Sequence, residues 1–490
     1  MNYRIFPAIG IARLGDDEDF YLGPETPGAG PGELQPDGSV RRVTRFKNAA
    51  HERIRKQGAR FHIYESTDGI TYRPAQLPAG AVVTWRVALE NKKSAVTRPS
   101  NPPTAPQRPQ VPAANAAQVI KGGEKTITGA NAVSAKFVGT FETPTNGGAP
   151  YRVNVELGQL RTDAQGRLIV LGGKLMSSAP PGTSIGGSYY RNPGWHDDVA
   201  DGPVTAEIVL APGTAPVQAE GGAWVIVGPP DYAPEINGVV TLYDVLRQVG
   251  IDHLGLATPG RPSFDADIAP MLTSARRLRW VHADATWSDP ALDSPNLRRV
   301  EPAFAAERAA ARDIVVQVED ILRGHTSSQG PPFRLRTWQK TALQRWVNGD
   351  FDPAAVPLPA SLTADGLTRA SLEGAVGQGF CPGIEAGIIV LDSTIYQSPF
   401  DFRIDHASVN RGDLTALMAQ PWQADFLKCQ TEWWPTQRPD IAPLANGTTQ
   451  SWDRQIDTHQ ELVDKASLLG FIVRQGANEV FVEAERASTV

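Results

Sequence analysis

Ala81 to Leu89 reads AVVTWRVAL, a run of β-branched and aromatic residues with polar positions interleaved at a period of two. That period puts alternate side chains on opposite faces of an extended chain, so the segment predicts a half-buried strand. Working outward, Ala135 to Phe141, Arg167 to Leu171, Val204 to Leu210 and Ala223 to Val227 have the same character, and turns rich in Gly, Pro and Asp separate them. The 46 glycines and 41 prolines leave little room for long helices in this half. Six prolines between Pro99 and Pro112 exclude a helix or a central strand there and predict an exposed polyproline-like or disordered insertion.

The pattern changes near residue 240. Leu242 to Val249 (LYDVLRQV), Pro302 to Leu322, Arg334 to Trp346 (RLRTWQKTALQRW) and Ala360 to Glu373 have helical apolar spacing. So does Thr458 to Leu469, with Gly470 as its cap, and Val480 to Glu485 is a closing strand. The expected fold class is α+β. Residues 1–240 form a β-rich domain with sandwich-like sheets and the Pro-rich loop. Residues 241–490 form a mixed, more helical domain that carries the chemically distinctive loops.

Composition narrows the function. The net charge is −6 and no long basic stripe exists, which argues against nucleic acid or anionic membrane as a partner. The one basic run, Arg41 to Lys56, is interrupted by apolar residues and is expected to be a solvated helix face. No apolar stretch reaches the length of a membrane span and no signal-peptide pattern opens the chain, so a cytoplasmic location is expected. There is no CxxC and no HExxH, so no metal site is expected. Two cysteines, Cys381 and Cys429, are too few for a disulfide scaffold.

Three segments are dense in special residues. Asn192 to Val204 (NPGWHDDVADGPV) sets Trp195, His196, Asp197 and Asp198 between two turn pairs, with Asp201 in the second. Turn chemistry explains it more simply than a catalytic or metal site. A hydrolase with two facing carboxylates would have to draw them from this cluster. Gly377 to Gly387 (GQGFCPGIEAG) places Cys381 on a Gly/Pro loop, where a thiol can approach another group closely. Gly412 to Asp440 holds Trp422, Trp433, Trp434 and Cys429, with Pro421-Trp422-Gln423 and Trp434-Pro435 expected as loops.

In order along the chain, IGIARLGDDEDFYLGPE (Ile9 to Glu25), RNPGWHDDVADGPV, GPPDYAP (Gly228 to Pro234), FCPGIEAG, and PWQADFLKC followed by WWPTQRPD resemble the signatures of the LodA-like amino-acid oxidases. This family includes lysine ε-oxidases and glycine oxidases. The resemblance runs from residue 9 to residue 440. It implies a protein-derived cofactor, cysteine tryptophylquinone (CTQ), in which an oxidised Trp is joined to Cys by a thioether. The family's cofactor Cys matches Cys381 and its Trp matches Trp422, with Trp434 as the second choice. Cys429 is then structural. His282, in RWVHADATW, sits where glycine oxidases place a pocket His, and His406 is its rival as base. The resemblance further implies an amino-acid substrate, O2, release of an oxo product, ammonia and hydrogen peroxide, and a flavoprotein maturation partner. A homo-oligomer is the default for an enzyme of this size.

The chain departs from the family in two places. An Asp usually found a few residues before the cofactor Cys is missing from GAVGQGF (Gly374 to Phe380). A Lys that some relatives carry after it is missing from LDSTIYQ (Leu391 to Gln397). The alternative expectation is therefore a catalytically altered relative with unmodified Trp and Cys, acting in binding or structure.

Overall fold

The computed structural model describes the chain except residues 100–102, 104, 146, 187, 189–190, 259, 323–333, 357–361, 378–384, 429–433, 477–478 and 489. The expected strands are present as Val82–Asn91, Phe137–Thr143, Leu168–Gly172, Ala200–Val209 and Ala223–Gly228. They belong to one fifteen-stranded sheet rather than to separate sheets. Its central path runs Phe137–Thr143, Tyr151–Thr162, Leu168–Gly172, Lys56–Ser66, Ile9–Arg13, Ala223–Gly228, Ala200–Val209, Val82–Asn91, Ile120–Thr128. Along this path the pairing is antiparallel except between Ile9–Arg13 and Ala223–Gly228, which are parallel. The two ends meet: a Cβ on Gly139 would lie 2.6 Å from the backbone N of Lys121. The sheet thus folds back on itself, and the sandwich-like character comes from a twisted sheet closing on its own apolar face. The central strands Ile9–Arg13, Leu168–Gly172 and Ala223–Gly228 are buried at every position, so they carry continuous apolar runs instead of alternation.

The helical part begins with Leu242–His253. Thr241 and Asp244 form a capping box, with Thr241 N–H donating to Asp244 Oδ2 at 2.7 Å. Thr458 and Glu461 repeat the device at His459–Lys465. Helix Ala364–Glu373 packs on strand Ile9–Arg13, and its hydroxyls reach the sheet backbone. Thr368 Oγ1 accepts from Ala8 N at 3.0 Å and Ser371 Oγ from Ile11 N at 3.1 Å. The main hydrophobic core is continuous across both halves, from Ile5 to Phe481.

Two expectations need correction. The run Arg41 to Lys56 contains no helix; it holds the end of strand Val40–Arg42, turns, and the start of Lys56–Ser66. Its cations are partly internal, with Lys47, Arg55 and Lys56 all buried, because their apolar neighbours Val43, Phe46 and Ile54 pull the segment onto the core. Trp422 does not lie on a loop: it opens the helix Trp422–Lys428. Pro421 marks the boundary without breaking the helix, since the first turn needs no N–H from that position. The described part of the Pro-rich segment is irregular until the 3-10 turn Ala113–Gln118. Among the described residues no helix is long and apolar enough to cross a membrane.

Candidate active site

The block NPGWHDDVADGPV folds into a clamp on the segment that leads into Trp422. Asn192 Nδ2 donates to the Gln420 carbonyl and Gln420 Nε2 to the Trp195 carbonyl, both at 2.8 Å. Asp197 Oδ2 accepts the backbone N–H of Trp422 at 3.0 Å, so a carboxylate remote in sequence caps the first turn of the helix. Asp201 takes Trp224 Nε1 at 2.9 Å, Gly412 N at 3.1 Å, and both the N–H and hydroxyl of Thr415, at 2.9 and 2.7 Å. Together these bonds fix 412–422 against the sheet. The acids of the cluster are turn and capping groups.

Beneath Trp422, Asp197 forms a buried ion pair with Lys93 and accepts from Asn91 Nδ2 at 3.1 Å. Each side chain of the pair is only 1% exposed. Burial pushes the Lys93 ammonium down, and Asp197 opposes that shift. His196 stacks on Phe141 with ring centroids 4.4 Å apart, and burial pulls it down to about 4, so it is neutral.

Burial pushes Asp198 up to about 7; the Met176 N–H bond works against this and neighbouring Asp197 adds to it. An unfolded Asp titrates near about 4. Between these values the folded chain holds a proton that the unfolded chain has lost, so this group's contribution to stability falls as pH rises from about 4 to about 7. Asp198→Asn should therefore gain on the wild type across that window, by roughly 1.4 kcal/mol for each pH unit crossed, and level off above it. Melting curves at both ends test this; a difference independent of pH would refute it.

The Trp422 indole is 1% exposed and meets Phe426 edge-on at 4.7 Å, and its buried Nε1 has no acceptor among the described residues. Phe426 in turn meets Tyr232, which packs on Trp452 and Phe471. Trp434 is also buried, in the same core. Cys381, Cys429 and Trp433 lie outside the described residues.

Just past the Cys381 segment, Glu385 joins a cluster that sequence reasoning missed. Arg13 Nη1 donates to Glu385 Oε1 at 2.6 Å, and Asp231 is 3.7 Å from the same guanidinium. Arg13 also donates to the carbonyls of Pro229 and Gly374 at 3.0 and 2.7 Å. Two carboxyls share one cation in a buried site. Burial raises Glu385, and raises Asp231 to about 7. Glu385 Oε2 is buried with no partner among the described residues, and a Cβ on Gly228 would lie 2.4 Å from it. A signal for this cluster does exist in the sequence. Arg13, Asp231 and Glu385 each belong to a different motif, IGIARLG, GPPDYAP and FCPGIEAG, and the fold brings those three motifs together.

The two candidate bases are elsewhere engaged. His282 Nδ1 accepts from Trp287 Nε1 at 3.1 Å and from Asp284 N at 3.3 Å. His406 Nε2 pairs with the Ala223 carbonyl at 3.0 Å, and its ring lies against Trp224. Burial lowers both. Among the described residues no group of three or more His, Cys, Asp or Glu is placed to hold a metal.

The architecture is that of solved oxidases of the lysine ε-oxidase fold. The Schiff base intermediate of L-Lys ε-oxidase from Marinomonas mediterranea with L-Lys superposes with a TM-score of 0.78 at 21% identity, covering 99% of this chain and 95% of that one. A second structure of the ε-lysine oxidase from the same organism gives 0.78 at 22% identity over the same shares. A family model described as L-lysine epsilon oxidase N-terminal matches residues 6–227, and one described as L-lysine epsilon oxidase C-terminal domain matches residues 327–452. The L-lysine 6-oxidase of M. mediterranea is 27% identical over 94% of this chain and 75% of its own length. The chain belongs to the LodA-like family.

Proposed function

We propose that this protein is an amino-acid oxidase whose cysteine tryptophylquinone is built from Cys381 and Trp422. Family membership supports the activity, and the burial of Trp422 supports the assignment. Its indole is buried edge-on against Phe426, its Nε1–H has no acceptor among the described residues, and its backbone is fixed by Asp197. A core Trp normally satisfies that N–H. The residues therefore fit a modified ring held in a dry, ordered setting. When formed, the group supplies a carbonyl electron sink that ordinary side chains lack. The overall reaction converts a free amino acid, O2 and water into an oxo product, ammonia and hydrogen peroxide. The Asp197 clamp orients the ring, and the aromatic wall of Phe426 and Tyr232 excludes water. His282 is the base of first choice and His406 the second. Each would have to exchange a present hydrogen bond for substrate, and burial keeps each unprotonated, as a base requires. A flavoprotein partner matures the chain, and it works as a homo-oligomer.

A second reading keeps the fold without the chemistry. Gly374 to Phe380 holds no carboxylate, and the nearest, Glu373, is taken by Arg369 at 2.6 Å. Intact mass and a peptide map of protein co-expressed with its flavoprotein decide between the two. The oxidase reading expects a Cys381–Trp422 linked peptide carrying two added oxygens, and a coloured protein. An unmodified mass with a free Cys381 thiol would establish the second reading.

A further inference from the structure

The strongest unassigned feature is a cavity of about 590 Å³ between the Gly-rich hairpin region at residues 23–42, the sheet, and the C-terminal strand Phe471–Arg474. Six arginines line it, Arg41, Arg42, Arg60, Arg167, Arg277 and Arg474, against the lining carboxylates Glu25 and Glu235 and the adjoining Asp163 and Glu479 that pair with the same arginines, a formal excess of two positive charges (six minus four). The whole chain carries −6, so this concentration runs against the overall balance.

Four of the arginines are neutralised by ion pairs: Arg42 with Glu235, Arg60 with Glu25 and Asp163, Arg167 with Asp163, and Arg277 with Glu479. Among the described residues Arg41 and Arg474 have no carboxylate in ion-pair contact, and the buried Nε atoms of Arg474 and Arg277 have no acceptor. A buried guanidinium N–H with nothing to donate to is costly, and native structures leave few such groups. The volume is that of a small-molecule site rather than of a single ion.

We propose that this cavity binds a small multivalent oxyanion, a polyphosphate or polycarboxylate, with Arg474 and Arg277 donating to it and Arg41 at its rim. The guanidinium fork suits phosphate and carboxylate oxygens equally, so the shared chemistry is two or more adjacent anionic oxygen groups. Glu25 and Glu235 do not block such a ligand, because both already answer arginines: Glu25 is bound by Arg60 and His62, and Glu235 by Arg42 and the Arg474 N–H. Trp422 is not among the residues that line this cavity, and the site does not depend on the oxidase reading.

Calorimetric titration of the full chain with tripolyphosphate and with citrate, at constant ionic strength set by chloride, tests it. Saturable binding is expected, weakened about tenfold or more in Arg474→Ala. Arg86→Ala, at a side chain that pairs with Glu207 and does not line the cavity, should leave it unchanged. Tighter binding of tripolyphosphate than citrate would assign phosphate as the source, and the reverse would assign carboxylate. No saturable heat with either anion, or equal binding by Arg474→Ala in a folded protein, would overturn the proposal.

Discussion

Trp422→Phe should give a folded, colourless protein whose amino-acid-dependent peroxide release is down by more than about a thousandfold, since no remaining side chain can take the electron pair. The fold should survive for reasons visible in the contacts. Asp197 holds the backbone N–H of residue 422, which any residue supplies. The lost Nε1–H has no partner among the described residues, so its removal strands no acceptor there. The smaller ring still packs on Phe426, at a cost on the order of 2 kcal/mol for the void. Trp434→Phe is the matched comparison, since that indole is buried in the same core. It should keep the colour and the Cys381 cross-link. Colour and a linked peptide at residue 434 in Trp422→Phe would move the cofactor to Trp434.

Much of this arrangement is legible in the sequence, and the limits of that legibility have physical causes. Ala81 to Leu89 marks a strand by alternation, being part-exposed over its first half, whereas Arg167 to Leu171 and Ala223 to Val227 mark theirs by short apolar, β-branched runs that are buried on both faces. The period does not reveal that five such segments join one sheet, since pairing partners are set by contacts remote in sequence. The Thr-x-x-Asp and Thr-x-x-Glu caps at Thr241 and Thr458 mark helix starts locally. The start at Trp422 has no such local mark, because its cap, Asp197, comes from more than two hundred positions away. The acid cluster reads as turn chemistry from its own residues, but nothing local shows that its carboxylates reach 412–422. Lys93 looks solvated in ENKKSAV, and only the fold shows it buried. Arg13, Asp231 and Glu385 stand inside three separate motifs, and their meeting explains why charged residues interrupt otherwise apolar signatures.

Lys93→Met should cost about 3–5 kcal/mol of stability. The side chain of Met is close in size, so packing is nearly conserved and the charge is what is lost. Asp197 would then be buried without its cation while still bonded to Asn91 and to the Trp422 N–H. Lys93→Met/Asp197→Asn should recover more than half of the loss, because an amide oxygen can still accept from Trp422 while no charge remains unpaired. Denaturant midpoints of the wild type, the two single variants and the double variant give the coupling directly. A Lys93→Met protein within about 0.5 kcal/mol of wild type would show that the pair behaves like an exposed one. The clamp on Trp422 would then rest on the neutral hydrogen bonds of Asn192 and Gln420 and on the Asp201 bonds to Thr415.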